Sequence, residues 1–366
     1  MSGMGYYVLH INGRKVGNHV LDPGTTDYSK QVLYTTYDIT DFLEKEKAIG
    51  ASVGPGWYGI PKLRLQAEIT YNDGTTEMIS TAMNFDWKVS DGPIIKSSIY
   101  DGEFFDAREE KPEWDLPKAG VNYSQTSMDK FCSNYSPGGK MVSQKLEPIK
   151  VVDTNMPQTI SEPAKDIYVL DAGKNLAGWA SLNVNGKSGT KISLKFAESL
   201  YKDGTVNQEN LRVAEAKDTY ILKGGAEENW EPSFTYHGFR YIQVEGFPYR
   251  PRVGDIQIKV IRSAISENGK FQCSNELLNR IHHMVQSTEA SNLYSIPKDC
   301  PLRDERMGWL NDMTVRIDQA LYNYDLSRFY AKWIDDIADT QESDGSITDT
   351  APFRWGKRPA DPVTIL

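Results

Sequence analysis

Short runs of alternating apolar and polar residues, each closed by a turn signal, fill the chain from Tyr6 to about Ile261. A chain punctuated roughly every ten residues cannot build a helical bundle or a βαβ repeat, and it points to antiparallel sandwiches. Tyr6 to Ile11 ends at Asn12-Gly13, the pair best suited to a two-residue hairpin. Val32 to Ile39 (VLYTTYDI) is rich in β-branched and aromatic residues. Leu63 to Tyr71 alternates before Asn72-Asp73-Gly74, and Thr75 to Ser80 returns. Within this stretch only Thr40 to Lys47 reads as helical, with Thr40 as its N-cap.

The pattern fades between Asp106 and Lys145, where EEKPEW and SPGGK act as breakers, and then resumes. Ile167 to Leu170, Ala180 to Val184, Thr190 to Phe196, Asp218 to Leu222 and Phe239 to Val244 carry period-two signals. Near Ser274 the period changes. Ser274 is placed to cap a helix whose apolar positions are Leu277, Leu278, Ile281, Met284 and Val285. Asp312 to Tyr324 and Ser327 to Gln341 read as two further amphipathic helices. The expected fold class is multidomain β + α. Residues 1–110 form an antiparallel, jelly-roll-like β-sandwich, 111–145 a connecting segment, 146–262 a second β-sandwich and 263–366 an all-α region.

Composition narrows the function. Lys+Arg total 41 against 50 for Asp+Glu, a formal net charge of -9, the wrong sign for a non-specific nucleic-acid binder. No apolar run approaches the roughly 18 residues of a membrane-spanning helix, and MSGMGYYVLHING lacks a signal-peptide pattern. Cys132, Cys273 and Cys300 are too widely spaced for a disulfide framework or a CxxC metal clip. The 20 Tyr and 8 Trp suit a β-rich core and a sugar-binding cleft alike.

Chemistry concentrates in Lys298-Asp299-Cys300-Pro301-Leu302-Arg303-Asp304-Glu305-Arg306-Met307-Gly308-Trp309-Leu310-Asn311-Asp312. Pro301 disfavours helix at Cys300, so Asp299 belongs on a loop. If the chain then turns helical, Glu305, Trp309 and Asp312 share one face at i, i+4 and i+7. Acid, aromatic and acid make a poor core face but a good wall for a polyhydroxylated ligand. The competing structural role is a capped helix start, with Asp304 and Glu305 on the dipole and Arg303 and Arg306 as their ion-pair partners.

The run DCPLRDERMGWLND resembles the signature of the bacterial α-L-rhamnosidases, glycoside hydrolase family 78. YYVLHINGRKVGNHVLDPGTTDYSKQVLYTTYDIT and IIKSSIYDGEFFDAR resemble that family's N-terminal β-domain. DAGKNLAGWASLNV, FAESLYKDGTV, DTYILKGG and FTYHGFRYIQVEGF resemble its concanavalin-like β-domain. GKFQCSNELLNRI, YNYDLSRFYAKWIDDIADTQESDG and TDTAP resemble the opening of its (α/α)6 barrel. The resemblance implies inverting hydrolysis of terminal α-L-rhamnose from rhamnosides. It gives Glu305 the general-acid position and places Asp299, Trp309 and Asp312 against the sugar, with Arg303 and Asp304 beside them. Asn311 stands where the family usually has Gly, and Leu302 where it commonly has a polar residue.

A complete barrel of twelve helices needs roughly 300 residues, whereas about a hundred follow the second sandwich. The expectation is therefore an incomplete barrel, with the family's general base, a glutamate, beyond Leu366 and some strands missing before Met1. Such a chain would be weakly active or inactive alone. The substrate class is a rhamnose-containing glycoside or oligosaccharide, and no cofactor is expected. Calcium at the acidic stretch Asp101, Glu103, Asp106 is conceivable but lacks EF-hand spacing, and a solvated or ion-paired loop is the simpler reading. The alternative function is a non-catalytic carbohydrate-binding β-sandwich protein.

Overall fold

The computed structural model describes residues 1–81, 87–117 and 136–360. Cys132 lies outside them. The described chain is mostly β, with helices gathered at its C-terminal end. No helix among the described residues is long and apolar enough to cross a membrane.

A ten-stranded sheet forms the centre. Its main path runs Ile149–Asn155, Ile256–Ser263, Ile167–Asn185, His237–Glu245, Lys191–Ala197, Lys217–Ile221, Gly102–Asp106 and Ile94–Ser98. Thr159–Ala164 and Glu227–Trp230 also pair with the 19-residue strand Ile167–Asn185. A register shift between Asp171 and Leu176 interrupts its pairing with His237–Glu245, and along its other edge the two halves find different neighbours, Thr159–Ala164 and Ile256–Ser263. The two runs read from the sequence at Ile167 and Ala180 are thus one strand. Inward side chains such as Leu170, Ile192, Phe196, Phe239 and Ile242 have no solvent exposure. Each contributes about 1.5–3 kcal/mol by leaving water.

The hairpin Ile94–Asp106, assigned from sequence to the first 110 residues, joins this larger sheet. Gly102–Asp106 runs parallel to Lys217–Ile221 and pairs Phe104 with Thr219. Phe105 packs its ring against Tyr220 and Trp230 at 5.7 and 6.0 Å, burial that a hairpin confined to the N-terminal region would forgo. The acidic loop expected here is therefore a strand. Asp106 is held by Arg108, Asp101 faces Lys96 at 3.2 Å, and Glu103 is buried.

The N-terminal residues divide among three small sheets of four, three and two strands. Tyr6–Ile11 pairs with Arg14–Lys15 through Asn12 and Gly13, both at positive φ (49° and 77°), the two-residue hairpin the sequence signals. Tyr6–Ile11 also pairs with Ile49–Gly54. Lys140–Ser143, placed in the connecting segment from sequence, is a strand parallel to Gln31–Tyr34. Leu63 to Tyr71 splits into Lys62–Arg64, which pairs with Ser2–Met4, and Gln66–Thr70, which pairs with Thr76–Ser80. Thr40 to Lys47 yields only a 3-10 turn, Thr40–Phe42. The Asp38 carboxylate, not Thr40, receives the leading backbone N–H.

Four helices follow among the described residues: α1 Glu276–Ala290, α2 Leu310–Thr314, α3 Ile317–Asn323 and α4 Ser327–Asp339. Asn275, one residue beyond the expected Ser274, caps α1 by accepting from Leu277 N and Leu278 N. The single helix read over Asp312 to Tyr324 is two, broken at Arg316. Its guanidinium turns away to the Glu289 carboxylate and the Lys298 carbonyl. Helix α4 buries Phe329, Tyr330 and Trp333 in a core shared with Leu293, Ile296 and Met313. The apolar stripe of α1 (Leu277, Leu278, Ile281, Met284) is exposed.

Candidate active site

Residues 298–309 run as an irregular loop from the end of α1 to α2, between the large sheet and the helical core. Two buried cations pin it. Lys298 Nζ donates to the Tyr236 hydroxyl at 2.6 Å and lies 4.6 to 5.5 Å from the rings of Tyr236, Tyr294 and Trp57. Burial, aided by Arg306, pushes its ammonium well below the ordinary lysine range. Arg306, with no exposed surface, spreads its guanidinium over the carbonyls of Ile99, Tyr236, Leu302 and Arg303. A rigid planar fork matches such a ring of acceptors in a way an ammonium cannot. The expected pairing of Arg306 with Asp304 or Glu305 does not form, because these four carbonyls take every bonded nitrogen.

The helix that would have aligned Glu305, Trp309 and Asp312 does not form either. Arg306 adopts a left-handed φ of 57°, and Gly308 passes so close to the Ala351 carbonyl that a Cβ would sit 2.3 Å from its oxygen. Helix starts only at Leu310, with Trp309 extended before it. Asp312 is exposed in the first turn of α2, and among the described residues no hydrogen bond or ion pair ties it to the cluster.

The other acids converge. Glu305 is 7% exposed. Its Oε2 accepts from Arg303 Nε at 3.0 Å and Arg212 Nη2 at 2.8 Å, and its backbone carbonyl accepts from the Tyr100 hydroxyl. Both side-chain contacts fall on Oε2, so among the described residues Oε1 has no protein hydrogen bond. Asp304 Oδ1 lies 3.8 Å from Arg212, and Asp299 Oδ2 lies 3.8 Å from Arg303. Asp299 Oδ1 accepts from Met307 N at 2.8 Å and closes the loop on itself. Burial raises the Asp299 carboxyl above its ordinary value, with the charge of Glu305 adding to the effect. Trp309 stands edge-on to Trp355 at 5.8 Å. Its indole Nε1 and Asp299 Oδ2 are buried without hydrogen-bond partners among the described residues.

Ligand atoms of Asp299, Cys300 and Glu305 lie within 4.8 Å of one another. Burial pushes the Cys300 thiol up to about 11, and two guanidiniums already occupy Glu305 Oε2, so these donors poorly fit a cation. Sequence reading missed Arg212, Tyr100 and Trp355. Arg212 lies 93 residues from Glu305, in a stretch (ENLRVAEAKD) with no motif of its own. Chemically, the loop offers one carboxyl with a clamped oxygen and an oxygen free of protein hydrogen bonds among the described residues, beside a second buried carboxyl of raised proton affinity, with an indole at its far end.

Comparison with known proteins fits this layout. Three family models cover the chain in order. The α-L-rhamnosidase N-terminal domain matches residues 1–153, the bacterial α-L-rhamnosidase concanavalin-like domain 161–262, and the bacterial α-L-rhamnosidase six-hairpin glycosidase domain 266–363. The chain belongs to the bacterial α-L-rhamnosidase family. Among curated relatives of this α-L-rhamnosidase-family chain, that of Streptomyces avermitilis is 38% identical over 96% of the chain, and one from Formosa agariphila is 36% identical over 92%. The Dictyoglumus thermophilum α-L-rhamnosidase structure superposes with a TM-score of 0.94 at 41% identity, over 100% of this chain and 41% of that one. The S. avermitilis enzyme solved with L-rhamnose gives 0.92 at 36% identity, over 97% and 35%. The chain spans about 35 to 40% of the length of its curated relatives.

Proposed function

We propose that this chain supplies the proton-donating half of an inverting α-L-rhamnoside hydrolase site, on a loop between the opening helices of an (α/α)6 barrel. The observation that carries the reading is the Glu305 carboxyl, fixed through Oε2 while Oε1 stays without a protein partner. Protonated on Oε1, Glu305 gives its proton to the glycosidic oxygen as the bond to C1 breaks. Water attacks C1 from the opposite face, giving the inverted sugar. That water loses its proton to a second carboxylate roughly 6.5–9.5 Å away, a role we assign to no described residue. Asp299 and Trp309 offer the sugar hydroxyls Oδ2 and Nε1, two buried polar atoms that have no hydrogen-bond partner among the described residues. Arg303 and Asp304 frame the acid, and Asp312 contributes from the exposed start of α2. The substrate class is a terminal α-L-rhamnoside.

Titration of L-rhamnose into wild type and Trp309→Ala, with an aryl α-L-rhamnoside assay alongside, tests this. The account expects Trp309→Ala to weaken binding at least about tenfold. Binding that survives the substitution would move the sugar onto the sheets and favour a non-catalytic carbohydrate-binding role.

A further inference from the structure

Arg212 comes from the large-sheet region yet ends on the carboxyl assigned as proton donor. It follows a 3-10 turn, Glu209–Leu211, whose Leu211 is 1% exposed in the main core. Gln208 Nε2 donates to the carbonyls of Phe196 and Glu215 and staples the loop to its sheet. The loop then returns through Ala216 N to the Tyr100 carbonyl, and Tyr100 itself holds the Glu305 backbone. Arg212 sits at φ 59°, ψ -110°, a conformation that a non-glycine residue adopts only when its surroundings enforce it. What that conformation achieves locally is one contact set: Nη2 on Glu305 Oε2 at 2.8 Å and Nη1 near Asp304.

We infer that Arg212 is a positioning residue for the proton donor, delivered by the β-rich part of the chain, and that it fixes Oε2 so that Oε1 faces the leaving-group oxygen. This rests on Glu305 being the acid. Arg303 holds the same oxygen but is a loop neighbour two residues away and moves with Glu305. Among the described residues, Arg212 alone ties that oxygen to the large-sheet region. Correct aim of the acid therefore depends on the seam between the β-rich and helical regions.

Two measurements on the 366-residue chain separate this inference from the reading beneath it. The first is guanidinium 15N NMR of Arg-labelled protein, with the Arg212 signal assigned through Arg212→Lys. Restricted rotation of the Arg212 guanidinium should be lost in Glu305→Gln, while Arg240, paired with Asp171 elsewhere, is unchanged as a control. Identical Arg212 signals in wild type and Glu305→Gln would overturn the clamp whatever the activity. The second supplies azide in place of base-activated water and compares an alkyl rhamnoside, which needs a proton on its leaving group, with a dinitrophenyl rhamnoside, which does not. Arg212→Gly relieves the backbone strain, so its Tm should equal or exceed wild type. Its kcat should fall roughly 10–100-fold on the alkyl substrate and little on the dinitrophenyl one, with Arg212→Lys recovering most of the loss. Equal losses on both substrates, or a Tm collapse in Arg212→Gly, would make Arg212 merely structural. Absence of turnover by wild type on both would count against Glu305 as the acid and leave the clamp to the NMR result.

Discussion

Arg306 holds up the site without entering it. A charge with no solvent contact and, among the described residues, no carboxylate partner survives because four carbonyls replace its water, three of them 2.7 to 3.0 Å from its nitrogens. Those carbonyls come from the hairpin strand end at Ile99, the sheet at Tyr236 and the loop itself, so one side chain sets where Glu305 emerges. Arg306→Lys should lower unfolding free energy by about 2–5 kcal/mol in urea titration, since it leaves buried acceptors unmatched. A change under 1 kcal/mol would mean that the carbonyl cage is not what fixes the loop. Lys298 poses the complementary case, a cation kept by aromatic faces and one hydroxyl, with its proton affinity reduced by burial.

At the scale of elements, caps and close approaches decide where helices may begin. Asn275 accepts from two leading N–H groups of α1. Asn275→Ala should therefore cost about 1 kcal/mol and Ser274→Ala almost nothing, as read by urea denaturation; the reverse order would return the cap to Ser274. Gly308→Ala forces a Cβ onto the Ala351 carbonyl, and about 1–3 kcal/mol of destabilisation should follow, measurable as a drop in Tm. The legible parts of the sequence were those written in local chemistry. The Asn12-Gly13 hairpin, the Asn72-Asp73-Gly74 turn, the strand runs after Ile167 and helix α4 each follow from neighbours in the chain. Asp299 and Glu305 were legible as near neighbours for the same reason. Arg212 on Glu305, the parallel pairing of Gly102–Asp106 and the left-handed turn at Arg306 were not, because each is imposed by residues tens to hundreds of positions away. Periodicity could not foresee that residues 305–309 would be held out of helix by Gly308 and Ala351.

Across the whole molecule, the sheet and helical regions share buried polar seams. Asp22 collects the hydroxyls of Tyr7, Thr35 and Tyr37 and the amide of Gln144, and Lys332 of α4 reaches the Thr25 carbonyl and Asp336. Glu103 lies in the sheet where, among the described residues, only the N–H groups of Ser233 and Phe234 donate to its carboxyl, and burial pushes it up to about 8 from 4.5. Between those pH values the folded chain keeps a proton that the unfolded chain has lost. The stability linked to Glu103 is therefore full below about 4.5 and declines as pH rises toward 8, by at most about 1.4 kcal/mol per pH unit. Urea titrations from pH 5 to 8 should show that decline in wild type and a flatter profile in Glu103→Gln. Parallel profiles would assign the slope elsewhere.

The central claim is that Glu305 donates the proton. Its most direct test supplies azide in place of base-activated water and follows an α-L-rhamnoside with a poor leaving group. Wild type should release the alcohol and form the inverted β-rhamnosyl azide, and Glu305→Gln should do so about 10²–10⁴-fold more slowly. Equal rates in the two proteins, or no azide-dependent product from wild type, would contradict the account.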